Sequence, residues 1–192
     1  MIYFVRHGST PWNDNKDKDG NRDPRCQGRA DIPLNQRGML QAQITRDKLK
    51  GVKFDRVICS PLTRAKDTCK IITNGKPRAE YDERLLERDF GEYEGQPVST
   101  FDNVAIWDLS EPIKYKRVET LTQLKDRVYS LIRELSKQPE KNVLLVAHVG
   151  VGCMLKLYFK GEPKDRNLLS FKIPNAQPIV FDFNKVKGEK KK

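Results

Sequence analysis

Apolar residues along the chain fall into short runs separated by polar and turn-forming stretches. Ile2 to Val5 is one such run, ending abruptly at Arg6-His7-Gly8, as a buried strand does when it delivers polar groups to its carboxyl edge. Asp14 to Arg25 is nearly all charged or turn-forming and is expected to be an exposed, mobile surface insertion. Asn35 is placed to cap a helix running to about Lys50, stopped by Gly51, and Arg56 to Cys59 forms the next apolar strand. Ser60 at a cap and Pro61 at a first helical position predict a helix from Pro61 to about Ile72, with Arg64 near its start and facing the strand ends. Leu121, Leu124, Val128, Leu131 and Leu135 recur at three- and four-residue steps, so they share one face of a helix that ends before Pro139. Val143 to Ala147 is continuously apolar, the pattern of a strand buried between two helical layers, and it ends at His148-Val149-Gly150. Ile179, Phe181 and Phe183 alternate around Asp182 in a final strand.

Strands alternating with helices predict an α/β fold, a three-layer α/β/α sandwich with an open, mostly parallel sheet. Ligands bind such sheets beyond the carboxyl ends of their strands. The length of 192 residues suits one domain spanning 1–192, with 37% hydrophobic and 33% charged residues marking a folded chain with a charged surface. The net charge of +11 favours anionic ligands by steering, or serves solubility. The basic residues are scattered and form no helix-turn-helix, zinc-finger or RNP-like signature, so nucleic acid is not an expected partner. Lys190 to Lys192 and the residues from about 185 are expected to be a frayed basic tail. Cys26, Cys59, Cys69 and Cys153 make no C-x-x-C pair, no signal-peptide pattern precedes the first strand, and no stretch is apolar enough to span a bilayer. A cytoplasmic setting with free thiols and no membrane partner is the expectation.

The chain has two histidines, and each directly follows a predicted apolar strand, with a glycine next or one residue on. A lone histidine is more often packed in a core; two at equivalent strand ends point to chemistry. A neutral imidazole offers one unprotonated nitrogen near pH 7 while the other is held by a hydrogen bond, which suits nucleophilic attack. Arg6 and Arg64 bring guanidinium forks that match phosphate oxygens, and their field lowers a neighbouring histidine pKa. Each arginine alone reads equally as a surface salt bridge. The set reads as a phosphoryl site.

Phe4-Val5-Arg6-His7-Gly8-Ser9-Thr10 with Asn13 resembles the R-H-G signature of the histidine phosphatase, or phosphoglycerate mutase-like, superfamily, branch 1. Gln27-Gly28, Asp31-Ile32-Pro33-Leu34, Gly38 with Gln41-Ala42, Ser60-Pro61-Leu62-x-Arg64-Ala65 with Thr68, and Arg84-Leu85-Leu86-Glu87-x-x-Phe90-Gly91-Glu92-x-Glu94-Gly95 are similar to that family's successive motifs, in order. The resemblance runs over about residues 2 to 150, with an echo near Asn175, and implies a phosphoglycerate mutase-like fold. It implies that His7 attacks phosphorus, that Arg6, Arg64 and His148 hold phosphoryl oxygens, and that Thr10, Asn13, Gln27, Gly28 and Val149 line the same pocket. It further implies that Glu87 donates a proton to the leaving alcohol and then serves as base toward water, although Glu83, Asp89, Glu92 and Glu94 lie nearby in sequence. No metal or other cofactor is called for, since the arginines and His148 supply the positive charge and no metal-ligand cluster stands out.

Two departures from the family pattern matter. Val149 stands where a glycine usually follows the second histidine; its backbone N–H remains available, while its bulk alters the geometry. Val118-Glu119-Thr120 replaces the usual Gly-Glu-Ser, weakening a substrate contact there. A cysteine-dependent phosphatase is excluded by counting, because too few residues separate Cys59 from Arg64; no P-loop and no dinucleotide fingerprint exists. Residues 96 to 120 are the stretch able to form a lid, which favours a phosphatase of a small phosphorylated metabolite over a mutase. Trp107, Lys114, Tyr115, Lys116 and Arg117 in that lid read either as substrate contacts or as a solvated face around one buried aromatic. A phosphate-binding module without turnover is the rival class. The substrate alcohol and the oligomeric state stay open.

Overall fold

The computed structural model describes residues 1–110, 115 and 117–185. A five-stranded sheet of order β3-β2-β4-β1-β5 forms the middle layer, built from β1 (Ile2–Arg6), β2 (Arg56–Cys59), β3 (Glu80–Tyr81), β4 (Val143–Ala147) and β5 (Pro178–Phe181). All pairings are parallel except β1 with β5, which runs antiparallel at the edge. Helices α1 (Gln36–Lys48) and α2 (Thr63–Thr73) pack on one face, where Ala42, Leu49, Ala65, Cys69 and Ile72 meet Val5, Val57, Cys59, Leu144 and Val146. On the other face α3 (Leu121–Leu135) and α4 (Val149–Lys160) bury Leu124, Val128, Leu131, Val151 and Met154 against Phe4, Ile58 and Leu145. Every residue of β4 is buried, as a continuous apolar run between two helical layers requires, and each large side chain there adds roughly 2 kcal/mol of burial.

Asn35 caps α1 by accepting from Gly38 N, and Thr120 with Gln123 closes a capping box at the start of the predicted periodic helix α3. Two expectations need correction, and two elements were not expected. Helix α2 begins at Thr63, not Pro61, where its first N–H and hydroxyl are taken at 2.7 Å each by Asp31 from a distant loop, while Ser60 Oγ accepts from Leu62 N at 3.4 Å and also meets His148. Phe183 lies outside the last strand, in a 3-10 turn of Phe183–Lys185. β3 and α4 were not visible in the pattern: β3 has two residues, both exposed, and α4 is apolar nearly all round, so no polar stripe marks its period. The 14–25 segment is exposed over residues 16–22, as expected, and carries an antiparallel bridge between Lys16 and Arg22 and another between Arg25 and Pro97. The expected lid contains 3-10 turns at Val98–Thr100 and Ala105–Trp107. Lys114 and Lys116, like most of the expected basic tail, lie outside the described residues.

Candidate active site

The parallel register of β1 and β4 pairs Arg6 with Ala147, so the residues that follow them, His7 and His148, leave adjacent strand ends together. His7 N–H still donates to Ala147 O at 2.9 Å, and the two rings stand with centroids 5.2 Å apart. Gly8 turns the chain sharply away against α1; a Cβ there would lie 2.4 Å from Gly38 O, and one on Gly38 2.1 Å from Ser9 O, so both motif glycines are fixed by close backbone approach. Asn175 donates to His7 O at 2.9 Å and Ile173 O receives Arg6 Nη1 at 2.9 Å, which accounts for the echo of similarity near residue 175.

His7 is 2% exposed, and its Nδ1 lies 2.7 Å from Gly8 O. A carbonyl can only accept, so Nδ1 carries the proton and Nε2 presents a lone pair. Burial first, then the charges of Arg6 and Arg64, hold the His7 pKa well below its ordinary value, which keeps the ring neutral. His148, 0% exposed, is likewise held neutral, mainly by burial and then by Arg64. Its Nε2 lies 2.7 Å from Ser60 Oγ, a partner that the sequence pattern assigned only to helix capping. The signal for Ser60 was positional: it follows β2 directly, as the two histidines follow β1 and β4.

Arg64 is 0% exposed and donates to Gly28 O at 2.6 Å and Ala30 O at 2.7 Å; burial brings its pKa down to about 10. The Gln27-Gly28 turn that receives it is held from below by Glu94, whose oxygens accept from Arg29 N, Ala30 N and Phe90 N. Four buried polar atoms around His7, namely Arg6 Nε, Arg64 Nε, His148 Nδ1 and Gln27 Oε1, have no hydrogen-bond partner among the described residues. Asn13 Oδ1 accepts from Thr10 N and Oγ1, so Thr10 orients the Asn13 amide.

Of the five nearby carboxyl groups, only Glu87 faces the cavity. Its Oε1 accepts from Arg88 N and Gly150 N, and its Oε2 from Val149 N at 3.1 Å, so it sits on the N-terminus of α4. Burial raises its pKa, while the Arg88 N–H and the arginine charges pull in the opposite direction. A Cβ on Gly150 would lie 2.5 Å from Glu87 Oε1, so only glycine leaves the carboxylate its place. Glu119 does not reach the cavity; it pairs with Arg127, which also donates to the carbonyls of Arg84, Leu86 and Glu87 and so clamps the Glu87 loop.

A cavity of about 200 Å3 opens over these groups. Arg6, His7, Asn13, Gln27, Gly28, Glu87 and Val149 line it, while Thr10, Arg64 and His148 stand behind the wall. Trp107 is buried and lines it too, together with Phe90, Val98 and Leu169. Arg22 and Arg25, from the segment expected to be a surface insertion, also line it, and nothing in their local sequence distinguished them from the surrounding charges. Among the described residues no group of three or more His, Cys, Asp or Glu is placed to hold a metal ion, and no helix is long and apolar enough to cross a membrane.

A sequence profile of the histidine phosphatase superfamily (branch 1) matches residues 2–192. The chain belongs to that superfamily. Over 184 residues, 91% of this chain and 84% of the other, it is 34% identical to an uncharacterized phosphatase, PhoE, of Bacillus subtilis. It is 29% identical over 164 residues, 81% of this chain and 73% of the other, to a probable phosphoglycerate mutase, GpmB, of Proteus mirabilis. Among solved structures, YhfR of Bacillus stearothermophilus superposes with a TM-score of 0.75 at 28% identity, covering 92% of this chain and 88% of that one.

Proposed function

We propose that this histidine phosphatase is a metal-independent phosphomonoesterase acting on a small phosphorylated metabolite through a phosphohistidine on His7. The reading is carried by the fixed tautomer of His7, with Nδ1–H bound to Gly8 O and Nε2 left as a nucleophile in a strongly positive pocket. Nε2 attacks phosphorus, and the P–N bond forms as the ester P–O bond breaks. The charge spread over the phosphoryl oxygens is met by Arg6, Arg64 and His148, with Thr10, Asn13, Gln27, Gly28 and the Val149 N–H completing the cradle. The leaving alkoxide takes its proton from Glu87, whose buried carboxyl group is biased toward the protonated form and becomes more so beside a phosphate dianion. Water then attacks phosphorus, Glu87 takes its proton, and the P–N bond breaks to release inorganic phosphate.

Transfer to a second hydroxyl in place of water is the alternative that the resemblance to GpmB supports. The test is hydrolysis of p-nitrophenyl phosphate in the presence of chelator by wild type and His7→Ala, with acid-labile 32P labelling of the protein followed in parallel. Chelator-insensitive turnover and a label lost with His7 are expected. Full activity in His7→Ala overturns the mechanism, and wild-type inactivity toward every phosphoester places the chain among phosphate-binding modules.

A further inference from the structure

The cavity wall holds three arginines, Arg6, Arg22 and Arg25, against one carboxylate, Glu87. Arg64 adds a fourth positive charge from behind. A phosphate dianion matches Arg6 and Arg64, which leaves the charge of Arg22 and Arg25 unmatched. Arg25 is tied by Nη1 to Gly95 O at 2.7 Å and holds the wall together. Arg22 is different. Its one recorded hydrogen bond is a 3.5 Å contact from Nη2 to Asn13 O, and among the described residues no carboxylate lies within ion-pair distance of it. Asp14 feels its charge but gives its oxygens to Ser9, Asn35 and Arg37. Arg6 is held below its ordinary pKa mainly by burial, with Arg22 adding in the same direction, so the Arg22 charge reaches the reaction centre.

Arg22 is exposed, but the hairpin backbone that carries it is held in position. Asp17 Oδ1 accepts from Asp19 N at 2.9 Å and Asn21 N at 2.8 Å, closing the tip of the hairpin that pairs Lys16 with Arg22. Asn15 Nδ2 donates to Asp23 O at 2.8 Å, Ser99 Oγ to Asp23 Oδ2 at 2.8 Å, and Val98 N to Pro24 O at 2.9 Å, so the base of the hairpin is stitched to the segment that carries Trp107. A side chain carried on an ordered backbone has less freedom to lose when it grips an anion.

We propose that Arg22 is a specificity-determining residue that receives a second acidic group of the substrate, a carboxylate or a second phosphate. The preferred substrate is then a short phosphomonoester bearing a further anion. A cavity of about 200 Å3, below the range usual for drug-sized ligands, fits a molecule of that size. The inference rests on the phosphomonoesterase reading.

The test compares kcat/KM within matched pairs of esters, for wild type, Arg22→Ala and Arg22→Lys. One pair is 3-phosphoglycerate against glycerol 3-phosphate, which differ only in carboxylate against hydroxymethyl; the other is 1,3-propanediol bisphosphate against its monophosphate. Wild type is expected to favour the acidic member of one pair by about tenfold or more, through KM, the size of one charge-assisted hydrogen bond. Arg22→Ala is expected to erase that ratio and Arg22→Lys to keep part of it, and the responding pair tells carboxylate from phosphate. Equal kcat/KM within both pairs for wild type, or a ratio unchanged in Arg22→Ala, overturns the role of Arg22 while leaving the phosphomonoesterase reading intact. No hydrolysis of any of these esters or of p-nitrophenyl phosphate overturns both.

Discussion

The floor and the outer wall of the cavity are built by different means. His7 and His148 stand just beyond strand ends and Arg64 in the first turn of α2, all in the dry interior, where strand register and burial set the histidines' positions and hold both imidazoles neutral. Arg22, Arg25 and Val98 come from loops joined by isolated bridges and by side-chain contacts such as Asp23 with Ser99. The difference teaches where change is tolerated. A floor fixed by the sheet keeps its chemistry while an exposed hairpin is free to vary, and with it the part of the substrate that is recognised.

Predictions that break or sharpen this contrast run from floor to wall. His7→Ala is expected to lower kcat on the order of 10^4-fold or more, read with p-nitrophenyl phosphate alongside a melting curve showing an intact fold. Glu87→Gln is expected to cost about 10^2- to 10^4-fold in kcat for alkyl phosphates and much less for p-nitrophenyl phosphate, whose leaving group needs no proton. An equal loss on both would remove Glu87 as the proton donor. Gly150→Ala pushes a Cβ toward Glu87 Oε1, so kcat for alkyl phosphates should fall about tenfold or more while denaturant titration shows a loss of about 1–3 kcal/mol.

Acid should separate the two regions as well. Both histidines have folded-state pKa values below their unfolded values, so the unfolded chain binds more protons as pH falls below about 6.5, and stability declines there by at most about 1.4 kcal/mol per pH unit for each. Glu87, with its pKa raised, contributes in the opposite sense: it favours the folded state below its unfolded pKa and loses that contribution as pH rises through the folded one. Unfolding at stepped pH for wild type and His148→Ala should show a shallower acid slope in the variant; identical slopes would mean that His148 is not held neutral by the fold. Smallest of all, Asp23→Ala unpins the hairpin from Ser99, and a rise in KM of only a few-fold for acidic substrates, with kcat retained, is expected.

Legibility followed the same division. β1, β4, α1 and α3 were readable because an apolar run, an N-cap and a three-four periodicity are local signals. Arg6, His7 and His148 were readable because they stand at the ends of those runs. α4 was not readable, since a helix buried on nearly every side has no polar face to betray its period. Ser60 was read only as a helix cap because, besides the Leu62 N–H it accepts, its other partner, His148, is 88 residues away, and Asp31, which takes the Thr63 N–H, is 32 residues from Thr63. Arg22 looked like one charge among many in a polar stretch.

By itself the sequence determined the strands that carry the histidines, the arginines beside them and the motif glycines, because each is written in neighbouring residues. Only the tertiary structure decided that Glu87 rests on the N-terminus of α4, that Arg127 and Glu119 clamp its loop, and that a charged hairpin brings Arg22 to the cavity wall. Those are contacts between segments far apart in the chain, and their free energy arises when folding removes the intervening water and brings the partners within hydrogen-bond reach.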